Sequence, residues 1–182
     1  PLGRLPPLAA RYFSAREARL RDRADYAGGP PWAVFRTGAA CAPNRVVWAD
    51  LARRLTALAL VGQRGLEQIP LNTCYVAAAP SAGAALRIAA WLNSTWIRAA
   101  ARLRAVPASG GFARFAAGTV AALPLPVAAL DDPALDALAR AGAEGADVQE
   151  DLDDLVARHL ALSGPVREDL ATVDGVRAGD RR

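Results

Sequence analysis

Alanine supplies much of the apolar content of this chain, and it limits what that content can build. Hydrophobic residues make up 53% of the 182 positions, yet alanine buries little area per residue and favours helix. The large apolar anchors are few: four Trp, four Phe and three Tyr, beside Leu, Val and Ile. A sizeable core is still within reach at a length that suits one ordinary domain, or a domain with a small helical appendage.

Charge is distributed more tellingly than its sum of +4 suggests. No lysine occurs, so every cationic side chain is arginine, which a GC-rich coding bias accounts for by itself. Residues 1–126 carry 16 Arg against 5 acids, whereas residues 127–182 carry 6 Arg against 13 acids. This contrast sets the expected organisation: a body over 1–126, then an acidic helical extension over 127–182 that packs on it. A basic body suits a polyanion, and the planar fork of arginine suits phosphate or a guanine edge. Cys41 and Cys74 are too few for a disulfide framework and lack metal-site spacing. No apolar run has the length of a membrane span and no signal pattern opens the chain, so no membrane partner and a cytoplasmic location are expected. An opening at Pro1-Leu2-Gly3 without methionine is expected of a segment of something longer.

Pro6 and Pro7 suit a helix start, and Leu8 to about Asp25 reads as one amphipathic helix. Ala27-Gly28-Gly29-Pro30-Pro31 breaks it. Strands are expected over Trp32 to Arg36, Arg45 to Trp48 and Ile69 to Val76, while Leu51 to Val61 permits helix or strand and Gly62 to Gln68 reads as a turn. Ser81 to Arg104 reads as core helix interrupted at Asn93-Ser94-Thr95, residue types that N-cap a second helix. A turn at Ser109-Gly110-Gly111 leads to the extended run Phe112 to Phe115, then a helical turn over Ala116 to Ala122. Asp132 and Pro133 open one tail helix, and Asp147 to Leu162 forms another. The class is α+β: a small mixed β-sheet region with packed helices, followed by a short C-terminal helical segment.

Three segments in order carry a resemblance: Ile69-Pro70-Leu71-Asn72-Thr73-Cys74-Tyr75, then Leu92-Asn93-Ser94, then Gly110-Gly111-Phe112-Ala113-Arg114-Phe115 leading to Leu123-Pro124-Leu125-Pro126. Together they resemble the C-terminal specificity, or target recognition, domain of Taq-type N6-adenine DNA methyltransferases and related restriction-modification and phage-defence enzymes. The match runs from about Leu8 to Pro126, and Leu152 to Leu170 resembles the closing helix pair of that family. The resemblance implies a reader of double-stranded DNA that directs a separate catalytic methyltransferase domain. S-adenosylmethionine is then expected in that domain, and no cofactor in this chain. The residues agree: no strand, glycine-rich turn and helix with a following acid occurs here. Gly29-Pro30-Pro31-Trp32 mimics the last three positions of the adenine-flipping loop, but Gly29 lacks the side-chain carbonyl that its first position needs.

Reading a duplex takes phosphate contacts for position and side chains at base edges for specificity. The candidates are Arg36, Arg45, Arg53 and Arg54 in or beside the strands, Asn72, then Arg98, Arg102 and Arg104 after the Asn93-Ser94 break, and Arg114 between two aromatics. Arg114 is the one offered to guanine, with Phe112 or Phe115 packing inward. Each arginine read alone is equally a solvated or internally paired side chain. His159 reads as a surface or partner-facing residue, and Glu150, Asp151, Asp153 and Asp154 as a solvated face. No nucleophile–base pair, carboxylate pair or metal quartet stands at usable spacing, so no catalytic residue is assigned. The competing readings are a protein-interaction module that uses the acidic helices as a scaffold without DNA, and a subunit of a multisubunit restriction system.

Overall fold

The computed structural model describes residues 5–24, 26, 28–32, 37–62 and 68–175. Contacts divide the chain into two units, residues 1–38 and 39–182, each described on its own. The first holds α1 (Pro7–Ser14) and α2 (Glu17–Arg21), neither of which buries a residue. The expected single helix is broken at Arg16, which leaves helical geometry with φ −123 and ψ 11. Its guanidinium folds back over the Tyr12 ring at 3.9 Å and donates to the Tyr12 carbonyl, satisfying an acceptor that the end of α1 leaves open. Trp32 sits in a turn, and the remainder of the strand expected at 32–36 lies outside the described residues. A short α3 (Thr37–Ala40) follows.

The second unit is built on two antiparallel three-stranded sheets. The first has the order β3-β1-β4, with β1 (Asn44–Ala49) at the centre, β3 (Ala57–Val61) and β4 (Cys74–Ala78). The second has the order β2-β6-β5, where β2 (Leu51–Ala52), β6 (Ala113–Arg114) and β5 (Val106–Pro107) are two residues each. The ambiguous stretch from Leu51 to Val61 thus forms two strands, one in each sheet. The strand expected from Ile69 begins only at Cys74, because the Cys74 N–H closes a turn on the Leu71 carbonyl that takes up Asn72 and Thr73.

Helices α4 (Ala82–Leu92) and α5 (Thr95–Arg104) fill the centre. Ser81 starts α4 by accepting from the Ala84 N–H, and Ser94 starts α5 by accepting from that of Ile97. Their alanines then do what a small side chain allows: Ala85 and Ala89 are buried where α4 lies on β1 and β3, and Ala99 and Ala101 are buried on α5, which packs against α10. Asn93 does not N-cap. It ends α4, and its carboxamide faces β3 instead. Beyond α6 (Ala117–Ala121) and α7 (Val127–Leu130), three longer helices close the unit: α8 (Pro133–Ala143) on α4, α9 (Gln149–His159) on α8 and α5, and α10 (Gly164–Asp174) on α5. Asp132 N-caps α8 through the Ala134 N–H, with Pro133 as first residue. The class is α+β.

Trp91, Phe115, Leu55, Ile97, Leu135 and Leu155 are the largest fully buried side chains. Three tryptophans staple distant segments by donating the indole N–H to a backbone carbonyl: Trp48 to Phe115 at 2.8 Å, Trp91 to Pro124 at 2.8 Å and Trp96 to Asp153 at 2.6 Å. Each staple gives a buried indole N–H its partner, and those on Phe115 and Pro124 also satisfy a loop carbonyl. The first of these staples fixes the chain that leaves the second sheet after β6, and the third ties α5 to α9.

Candidate nucleic-acid interface

Asp50 is the hinge between the two sheets. Its N–H donates to the Thr73 carbonyl at 2.9 Å and its carbonyl accepts the Phe115 N–H at 2.6 Å, so it ties the start of β4 to the end of β6. Its carboxylate pairs with the Arg114 guanidinium. In the second sheet Leu51 lies opposite Arg114, which lies opposite Val106, so the three side chains share one face. Leu51 is 46% exposed and Val106 63%, while Ala113, on the other face, is buried. The sheet therefore turns an open face outward, with Arg114 at its centre and a half-exposed side chain.

Further arginines are carried by the segments that lead into and out of this sheet. Arg53, just past β2, is exposed and stacks over the Phe112 ring at 5.3 Å. Exposed Arg54 reaches the end of α10, donating to the Asp174 carbonyl at 3.1 Å and lying 3.5 Å from its carboxylate. Arg104, also exposed, ends α5 two residues before Val106 and donates to its own helix at the Ala100 carbonyl. Asn72 is exposed in the turn whose neighbour Thr73 binds Asp50.

The other candidates are held differently. Arg45 is 2% exposed and donates to the Ala42 and Gln68 carbonyls at 2.6 Å, so it organises the loops that flank β1. Arg98 pairs with Asp174 at 3.1 Å and also donates to Gln149 and Thr95, tying α5 to α9 and α10. Arg102 is half-buried, and its Nη1 has no hydrogen-bond partner among the described residues. Arg36 lies outside the described residues. Thus Arg114 lies on β6, Arg53, Arg54 and Arg104 sit on segments that flank the strands of the second sheet, and these four and Asn72 are exposed, whereas Arg45 and Arg98 are internal.

The electrostatics follow the packing. Burial lifts the Asp174 carboxyl above the usual carboxylate range, against the pull of Arg98 and Arg54. Asp136 is held below that range by Arg140 and then Arg87, the latter tying α4 to α8 at 2.7 Å. Asp132 is lowered by its hydrogen bond to His159 at 2.8 Å. His159 therefore faces inward, where it joins α9 to the start of α8 and meets the Trp91 ring edge-on. Asp153 also departs from the expected solvated face, since it accepts the Thr95 N–H at 2.7 Å at the start of α5. Glu150, Asp151 and Asp154 are exposed.

Sequence reasoning missed Asp50 and Asp174 because the arginine partner of each lies 64 or 76 residues away. Both cysteines are free thiols. Among the described residues no group of His, Cys, Asp and Glu is placed to hold a metal ion, and no helix is long and apolar enough to cross a membrane. Comparison with protein families, curated proteins and solved structures finds no match to this chain.

Proposed function

We propose that this chain is the sequence-recognition domain of an N6-adenine DNA methyltransferase of a restriction-modification or phage-defence system, binding duplex DNA for a separate catalytic domain. The observation that carries the reading is the open face of the second sheet, which presents Arg114 and whose strands are flanked in the chain by exposed Arg53, Arg54 and Arg104. Arginines spaced around a short sheet suit a duplex: some meet phosphates and set position, and those on the sheet face reach base edges. The ordered motifs from Ile69 to Pro126 that resemble the target recognition domain favour DNA over another polyanion. Methyl transfer, and S-adenosylmethionine with it, belong in this reading to the catalytic partner domain. This chain supplies grip and selection.

Fluorescence anisotropy with short duplexes at low and moderate salt tests it. Three phosphate-contacting arginines, Arg53, Arg54 and Arg104, give a slope of log affinity against log salt of about −2.7, or a fall on the order of 40-fold between about 50 and 200 mM. Absence of binding at low salt, or binding indifferent to salt, sinks the reading and favours the protein-interaction scaffold.

A further inference from the structure

Arg114 is the one arginine of this exposed group with one end of its guanidinium pinned and the other open. Asp50 Oδ2 engages Nη1, and among the described residues Nε and Nη2 have no hydrogen-bond partner. Asp50 Oδ1 is buried, so the carboxylate acts outward through Oδ2 alone. The neighbours lack this arrangement. Arg54 turns Nε and Nη2 onto Asp174, Arg53 lies against Phe112, and Arg104 donates to its own helix.

The backbone that carries Arg114 is clamped on both sides. Phe115 is fully buried, gives its N–H to Asp50 and receives the Trp48 indole on its carbonyl. Before it, Gly110 and Gly111 take φ values of +68 and +78, which returns the chain from β5 into β6. Leu51 and Val106 stand on either side of Arg114, one strand away. The fork therefore projects from a fixed base between two aliphatic walls, with parallel N–H groups on its Nε and Nη2 edge.

Resting on the DNA reading, we propose that Arg114 is a specificity-determining residue that selects one guanine in the major groove, and that Asp50 is its positioning residue. Guanine offers two acceptors there, O6 and N7, which match a paired donor edge. Adenine offers one acceptor and one donor, and a guanidinium has no acceptor to meet that donor. Pinning Nη1 lowers the rotational freedom that a long side chain loses on binding, so the buttress sharpens the preference.

Selection from a random duplex library by the full chain, followed by affinities for the selected duplex, tests this. The wild type is expected to enrich guanine at one position. Arg114→Ala and Arg114→Lys are expected to flatten that position and no other, losing about 5- to 150-fold in discrimination. Replacing that guanine by 7-deazaguanine, which lacks the N7 acceptor, is expected to weaken the wild type and leave Arg114→Ala indifferent. Asp50→Asn preserves shape and the backbone bonds of residue 50. It is expected to relax the same position, and Asp50→Glu to restore part of the preference, with unchanged thermal melting showing that the fold is intact. Duplex binding with no guanine preference, or one that survives Arg114→Ala, overturns the inference and leaves the DNA reading standing. A preference untouched by Asp50→Asn removes the positioning role. No duplex binding by the wild type at low salt overturns both.

Discussion

The Asn93 carboxamide takes both backbone groups of Ala57, accepting its N–H at 2.9 Å and donating to its carbonyl at 2.8 Å. It stands in for a neighbouring strand at the first residue of β3, where Ala57 is 4% exposed. Asn93→Ala leaves two buried backbone groups without a partner and is expected to cost about 2–4 kcal/mol. Asn93→Asp keeps the acceptor but turns the donor into a second acceptor facing a carbonyl, so it is expected to cost at least as much at neutral pH. Urea denaturation checks both, with the midpoint moving and the slope holding.

Asp153 and Trp96 couple α9 to the start of α5 twice, once through the carboxylate on the Thr95 N–H and once through the carbonyl on the indole. Asp153→Ala removes a cap and is expected to lose about 1 kcal/mol. Trp96→Phe keeps most of the ring but loses the indole bond to a carbonyl that α9 still engages, for a loss of about 1 kcal/mol. Because both contacts join the same two helices, the double variant is expected to lose less than the two losses combined. Strict additivity in thermal or chemical melts counts against one shared joint.

What could be read beforehand was local. Ser94 starts α5 and Asp132 with Pro133 starts α8 because capping is settled within three residues. The strand at Arg45 to Trp48 announces itself by β-branched and aromatic side chains in a row. What stayed hidden depends on partners far along the chain. Arg98 reads in sequence like any helical arginine, and only folding sets it beside Asp174 with 11% of its side chain exposed. Asp153 sits in an acidic run whose other members are solvated, and nothing local separates it from them. The face around Arg114 was legible as a loop with an arginine between aromatics. Its orientation was not, since it depends on Asp50 and on the pairing of β6 with two short strands, β2 far back in the chain and β5 just before it.

Burial of Asp174, which outweighs the pull of Arg98, makes stability depend on pH with an unusual sign. The Asp174 carboxyl, raised by burial, holds its proton more tightly folded than unfolded. Its contribution to folding is therefore present below the ordinary carboxylate value and is lost as pH rises through the raised one. Asp132 and Asp136, both lowered, contribute above the ordinary range and lose that contribution as pH falls. Arg98→Met removes the strongest opposing charge, so Asp174 rises further and its carboxylate, 3% exposed, is left mostly to Arg54. The variant is expected to lose about 3 kcal/mol near pH 7 and distinctly less near pH 4. Urea midpoints of variant and wild type at both values read this difference, and an equal loss at the two would assign Arg98 to packing alone.

Internal and outward arginines are expected to separate cleanly by experiment. Arg45→Ala strips carbonyl partners from a buried site and is expected to lower the melting midpoint. Arg53→Ala and Arg104→Ala, whose side chains are exposed, are expected to leave the midpoint within about 0.5 kcal/mol of wild type. On the DNA reading each of these two also weakens every duplex alike and reduces the salt slope by about 1. Equal melting losses for Arg45→Ala and Arg53→Ala would contradict the division.

Helices α8 and α9 end in the same hydrogen-bond pattern with different residues at its turning point. After α8 the Ala146 N–H reaches the Ala141 carbonyl and that of Gly145 reaches Gly142, with Gly145 at φ +96. After α9 the Leu162 N–H reaches the Ala157 carbonyl and that of Ala161 reaches Arg158, with Ala161 at φ +51. Both are helix ends that need a left-handed residue, and an alanine there carries a steric penalty that glycine lacks. Ala161 is exposed, so removing its methyl opens no cavity. Glycine adds freedom to the unfolded chain, which takes back part of the gain. Ala161→Gly is expected to raise stability by about 0.5–1 kcal/mol, whereas Gly145→Ala is expected to lower it by a similar amount, both read as shifts of the urea midpoint.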